Sequence, residues 1–64
     1  MDNNETNTIL VSELGFNSNA VATRNEYGNW EWESEDGTKW EYDPVTHLRR
    51  HCGNGPGYFW TDWW

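Results

Sequence analysis

Residues 29–43, NWEWESEDGTKWEYD, place every aromatic side chain at an even position and all charges but that of Asp36 at odd positions. Successive side chains of a β-strand point to opposite faces, so an extended chain here has one aromatic face and one charged face. Glu35-Asp36-Gly37 interrupts the alternation and supplies a turn, with Gly37 able to take the left-handed conformation that a tight hairpin needs. Side-chain matching sets the loop length. A two-residue Asp-Gly turn pairs Glu33 with Trp40 and mixes the faces, whereas a three-residue Glu-Asp-Gly turn with a bulge at Gly37 pairs Trp32 with Trp40 and Trp30 with Tyr42. The second register keeps the rings together and is the one expected.

That register also sets Glu33 opposite Lys39, Glu31 opposite Glu41 and Asn29 opposite Asp43. Cross-strand pairs contribute roughly 0.2 to 1 kcal/mol each, favourable for Glu33 with Lys39 and unfavourable for Glu31 with Glu41. A surface built only for solubility intersperses its charges. Clustering Glu31, Glu33, Glu41 and Asp43 with Glu35 and Asp36 of the turn therefore suits a positive partner, set against the plainer reading of a solvated sheet face.

The chain has 64 residues and a net charge of -7, from eleven acids and four bases. A chain this short forms one domain and buries only about 60% of the surface its unfolded form exposes, which leaves no room for a deep catalytic cavity. Cys52 is the single cysteine, so there is no internal disulfide framework and no four-cysteine zinc spacing. Aromatic side chains must carry the core: six Trp, three Tyr and two Phe, each ring burying on the order of 150 to 250 Å². They offset a mean hydropathy of -1.09. MDNNETN, residues 1–7, has no apolar residue after Met1 and reads as a disordered tail, with residues 8–64 as the domain.

The acidic balance repels nucleic acid and anionic membrane and speeds encounter with basic surfaces. No apolar run approaches the roughly 20 residues of a membrane span, and no charged segment followed by an apolar one opens the chain, so a soluble cytoplasmic protein is the expectation.

Outside the hairpin the signals are shorter. TILVSEL, residues 8–14, suits a buried strand or a turn and a half of helix, Gly15 interrupts it, and Asn17-Ser18-Asn19 is turn-forming. Residues 20–24 fit either structure. Asp43-Pro44 reads as a helix start, with Asp43 as cap and Pro44 in the first turn, giving a helix over 44–52 ended by Gly53. Arg49, Arg50 and His51 then complement the dipole in its last turn, while Val45, Leu48 and Cys52 face the core. GNGPG, residues 53–57, is a loop. YFWTDWW, residues 58–64, reads as a terminal strand with Tyr58, Trp60 and Trp64 on the core, leaving Phe59 and Trp63 for a partner or a second copy in a homodimer. The expected fold class is α+β: a small antiparallel sheet of three to four strands built on the 28–43 hairpin, with one short helix at 44–52.

Few residues here suit catalysis. His47 and His51 stand four apart on the expected helix, but Cys52 points away from them and no fourth zinc ligand presents itself, so no metal site is assigned. Acids on a solvated face lack the burial that raises a general acid's pKa, and GNGPG lacks the Lys-Ser/Thr ending of a phosphate loop. No enzyme, catalytic residue or cofactor is expected.

Two local resemblances stand beside this reading. LGFNSNAVATR, residues 14–24, resembles the turn and early recognition helix of helix-turn-helix proteins, with Asn17 as cap, Val21 inward and Arg24 as its one base. Trp30-Glu31-Trp32 followed by Trp40-Glu41-Tyr42-Asp43 and Thr46 resembles the opening hairpin and helix start of WWE domains, which implies an ADP-ribose ligand with Arg49 and Arg50 as its only bases. A further reading is a precursor peptide whose product is GPGYFWTDWW, residues 55–64.

The expected function is binding. Strand residues i and i+2 stand about 6.5 to 7 Å apart, similar to the roughly 6 to 7 Å between successive phosphates. Glu31, Glu33 and Glu35, with Asp36, Glu41 and Asp43, could thus imitate nucleic-acid charge and occupy the basic groove of a nucleic-acid-binding protein. In size and charge the chain is similar to small inhibitors of bacteriophages and mobile elements, some anti-CRISPR proteins among them. The alternative is a structural module, such as a virion component, docking through Phe59, Trp63 and Trp64.

Overall fold

The computed structural model describes residues 7–53 and 57–64. Five antiparallel strands form one sheet: β1 (Thr8–Leu10), β2 (Val21–Arg24), β3 (Trp30–Glu33), β4 (Lys39–Asp43) and β5 (Leu48–Cys52). Their order is β1-β2-β3-β4-β5, so every strand pairs with its neighbour in sequence. The central hairpin has the expected register: Trp30 faces Tyr42, Glu31 faces Glu41, Trp32 faces Trp40 and Glu33 faces Lys39. Ser34 and Thr38 close the three-residue loop through Ser34 N–H to Thr38 O at 2.8 Å, with Gly37 at φ 89°.

The preceding connection repeats this geometry. Asn25 and Asn29 close Glu26-Tyr27-Gly28 through Asn25 N–H to Asn29 O at 2.8 Å, and Gly28 has φ 82°. Asn25-Glu26-Tyr27-Gly28-Asn29 and Ser34-Glu35-Asp36-Gly37-Thr38 thus follow one pattern, a polar residue, Glu, any residue, Gly and a polar residue. This repeat marks β2 as a strand. The helix-turn-helix resemblance does not hold: Val21–Arg24 is extended, Val21 is 56% exposed, and Ala22 is the buried residue.

The larger correction concerns residues 44–52, which form no helix: in place of the expected α+β fold of three to four strands, the described residues form five strands and one 3-10 turn. Asp43 does cap a turn, its Oδ1 accepting from the backbone N–H groups of Val45 (2.8 Å) and Thr46 (3.3 Å), while His47 N–H reaches Asp43 O at 2.8 Å. His47 then adopts φ 64°, which stops helical propagation after one turn and sends the chain back as β5. Pairing of β5 with β4 satisfies a five-residue ladder, Asp43 with Leu48 through to Lys39 with Cys52. A nine-residue helix is marginal by itself and would leave the β4 edge open. Val45, expected in the core, is 86% exposed, and Leu48 is exposed as well. The WWE resemblance loses its helix with this correction.

TILVSEL divides between both readings, β1 followed by a 3-10 turn at Val11–Leu14 that ends at Gly15 with φ 99°. The turn places Val11 under the sheet, where its N–H donates to Ala20 O at 2.9 Å. Val11, Ala22, Trp30 and Trp32 form the buried core, with Ile9, Leu14, Phe16, Ala20, Trp40 and Tyr42 packed around it. Phe16 spans the hairpin, its ring 5.3 Å from both Trp32 and Tyr42. The even-numbered rings turn inward together.

The expected terminal strand does not form: residues 58–64 are irregular and lie beside β5, and Tyr58, Trp60 and Trp64, expected on the core, are exposed. Arg49 and Trp64 exchange two backbone hydrogen bonds (3.1 and 2.9 Å), and Thr61 N–H donates to His51 O at 2.9 Å, so residues 61–64 cover the sheet edge. Residues 1–6 of the expected tail and 54–56 of the GNGPG loop lie outside the described residues. Asn7, the last residue of that tail, accepts a hydrogen bond from Arg24 N–H at 2.9 Å.

Candidate functional site

The charged face of the hairpin has a closed centre and an open end. At the centre, Glu41 is 1% exposed. Its Oε1 accepts from Arg50 Nη2 at 2.8 Å and Nε at 2.9 Å, and its Oε2 accepts from Asn25 Nδ2 at 2.7 Å and Asn29 Nδ2 at 3.0 Å. Asn25 Nδ2 also reaches Glu31 Oε2 at 2.7 Å, bridging the two carboxylates whose cross-strand placement alone would be repulsive. Asn25 Oδ1 in turn accepts from Tyr27 N–H (3.0 Å) and Asn29 N–H (2.9 Å), so the β2–β3 turn holds the amide in place. Desolvation, the strongest influence on Glu41, favours its neutral form. The Asn29 and Asn25 amides and the Arg50 guanidinium outweigh it and hold the carboxyl below its ordinary pKa. Glu41 is thus a neutralised structural group and leaves the exposed acid row.

Arg50 is held from its other side. Its guanidinium carbon lies 4.7 Å from the Trp60 ring centroid and 4.5 Å from that of Trp63. Trp63, expected to be free for a partner, is half-buried against this arginine, whereas Phe59 stays 82% exposed beside Tyr58 at 61%. Arg49 points to the opposite face, 4.4 Å over Trp64, and Arg24 lies 4.5 Å over Trp30. Three of the four Lys and Arg side chains are therefore laid on indoles, and Lys39 is the fourth.

The open end is the β3–β4 turn. Glu33, Glu35 and Asp36 are exposed there, while Glu31 and Asp43 are half-buried. Asp36 Oδ1 accepts from Ser34 Oγ at 2.6 Å and Thr38 N–H at 2.9 Å. Those bonds, the Ser34 hydroxyl first, lower its pKa to about 2 and keep the turn charged. Between this turn and residues 17–20 runs an open groove of about 860 Å³. Phe16, Trp32 and Trp40 form its apolar lining, and Glu33, Glu35 and Asp36 its acidic side. Trp32 and Trp40 stack with centroids 6.3 Å apart and planes 8° from parallel.

His47 and His51 do not share a helix face. His47 occupies the β4–β5 turn, while His51 packs on Trp40 (4.9 Å) and Trp64 (5.3 Å), and Cys52 Sγ contacts Gly53 O at 3.4 Å. Among the described residues no helix is long and apolar enough to cross a membrane. Sequence reasoning missed Asn25 and Asn29 as ligands of Glu41. The repeated turn pattern would have placed them beside the hairpin. Comparison with protein-family models, curated proteins and solved structures found no match.

Proposed function

We propose that this chain is an acidic binding module that docks the end of its β3–β4 hairpin on a basic protein surface, in the manner of an inhibitor that imitates nucleic-acid charge. The observation that carries this reading is the separation of charge: Arg24, Arg49 and Arg50 are laid on indoles, while Glu33, Glu35 and Asp36 stand exposed together. A net charge of -7 then acts on a partner chiefly through carboxylates. The docking row is shorter than the sequence suggests, because Glu41 is enclosed. Glu31 adjoins the exposed trio on β3, whereas Asp43 lies at the far end of β4 and caps the next turn.

Partners captured from a lysate at low ionic strength, released by added DNA or by salt, and not captured by a Glu33→Gln/Glu35→Gln/Asp36→Asn variant are the expected result. Retention that is indifferent to salt and to those substitutions would refute it. The exposure of Tyr58 and Phe59 favours a second reading, an assembly module docking through apolar contact. That mode persists in high salt and is weakened by Phe59→Ser. An ADP-ribose reading has less support, since Arg49 and Arg50 lie on opposite faces of β5 and each already rests on indoles.

A further inference from the structure

We propose that the groove beside the hairpin turn takes an arginine side chain of the basic partner. This inference rests on the function proposed above and names the chemistry of the contact. The groove lining includes two near-parallel indoles and the Phe16 ring on its apolar side, three carboxylates, and no Lys, Arg or His. Its volume of about 860 Å³ admits a long side chain with its flanking backbone. Charge complementarity selects a cation, and the aromatic surface selects among cations. A guanidinium is planar and weakly hydrated, stacks on indole and pairs with carboxylates two bonds at a time, whereas an ammonium is compact and strongly hydrated.

The chain treats its own arginines in this way. Arg50 meets two indoles and the Glu41 carboxylate, and Arg24 and Arg49 each lie over one ring at 4.5 and 4.4 Å. The groove offers the same set of groups, indoles beside carboxylates, with no cation in its lining; Lys39, the cross-strand neighbour of Glu33, lies outside it.

The test is a titration of the ¹⁵N-labelled full chain with oligoarginine and with oligolysine of equal length at low ionic strength, followed through the tryptophan indole N–H signals. The Trp32 and Trp40 signals are expected to move with oligoarginine and that of Trp30 to stay. Oligoarginine should bind several-fold more tightly than oligolysine. The Glu33→Gln/Glu35→Gln/Asp36→Asn variant should lose about tenfold in affinity, in line with three exposed ion pairs. A Glu33→Gln/Glu35→Gln variant, which leaves the turn bonds of Asp36 alone, serves if the triple variant misfolds. Binding of both peptides with equal affinity, binding that leaves Trp32 and Trp40 unmoved, or full affinity in the charge variants overturns the groove alone. Failure of both peptides to bind at low salt overturns the acidic-module reading with it.

Discussion

Replacing Arg50 with Met tests whether the centre of the charged face holds the fold together. The Arg50→Met side chain keeps much of the length that packs near Trp60 and Trp63 and removes both charge-assisted bonds to Glu41. Breaking a buried pair from one side costs about 3 to 5 kcal/mol, because the remaining charge is left without its counter-ion. At 0.05 to 0.15 kcal/mol per residue, a 64-residue domain has roughly 3 to 10 kcal/mol in all. The variant should therefore lose a third of its stability or more at pH 7. Urea unfolding followed by tryptophan fluorescence measures it.

The pH dependence makes this prediction specific. In the native protein Glu41 has a lowered pKa, so its contribution is complete above the unfolded-state value, about 4.3, and is lost as pH falls through the folded value. Without Arg50, desolvation is opposed only by the two Asn amides, and the folded pKa rises relative to the native protein. The deficit of Arg50→Met should then be largest near neutrality and shrink as pH falls toward 4. Adding Glu41→Gln should recover much of the loss at pH 7. A deficit below about 1 kcal/mol at pH 7, or one that does not change on acidification, would refute the assignment of Glu41 and Arg50 as a buried, mutually dependent pair.

Asn25→Asp should cost about 3 kcal/mol by equilibrium unfolding, since it removes the donor shared by Glu31 and Glu41 and sets a third carboxylate beside them. Gly37→Ala should cost about 1 to 2 kcal/mol, because Gly37 has φ 89° and a Cβ is strained there. Val11→Ala should cost about 2 kcal/mol from lost burial at a site with no solvent exposure, measured as a shift of the urea midpoint at constant slope. Acid unfolding of the native protein should set in below about pH 4.5 and extend toward 2. Glu41 and Asp36 both have lowered pKa values, Asp36 at about 2, so each stabilises the fold above its unfolded value and ceases to do so as it is protonated.

The hairpin was legible because its information is local. Rings at 30, 32, 40 and 42 share a face only in registers of one parity, and the three-residue loop with Gly37 in the left-handed region matches one of these. The acidic turn was legible for the same reason, as Glu35 and Asp36 sit at a loop tip whatever surrounds them. Residues 44–52 carried local signals for a helix start, and Asp43 does cap a turn, yet the segment is a strand. What decided it lies across the sheet, in the open edge of β4 and the Glu41 carboxylate that Arg50 reaches only from a paired β5.

The same holds for the charged face. By itself the sequence determined that Glu31, Glu33 and Glu41 leave the aromatic side together, because strand periodicity is a property of the backbone. Which of them meet solvent was decided by Asn25, Asn29 and Arg50, drawn from two other segments, and by Trp60 and Trp63 laid on that arginine. Burial of a charge depends on the partners that surround it in space, and no short stretch of chain contains them all.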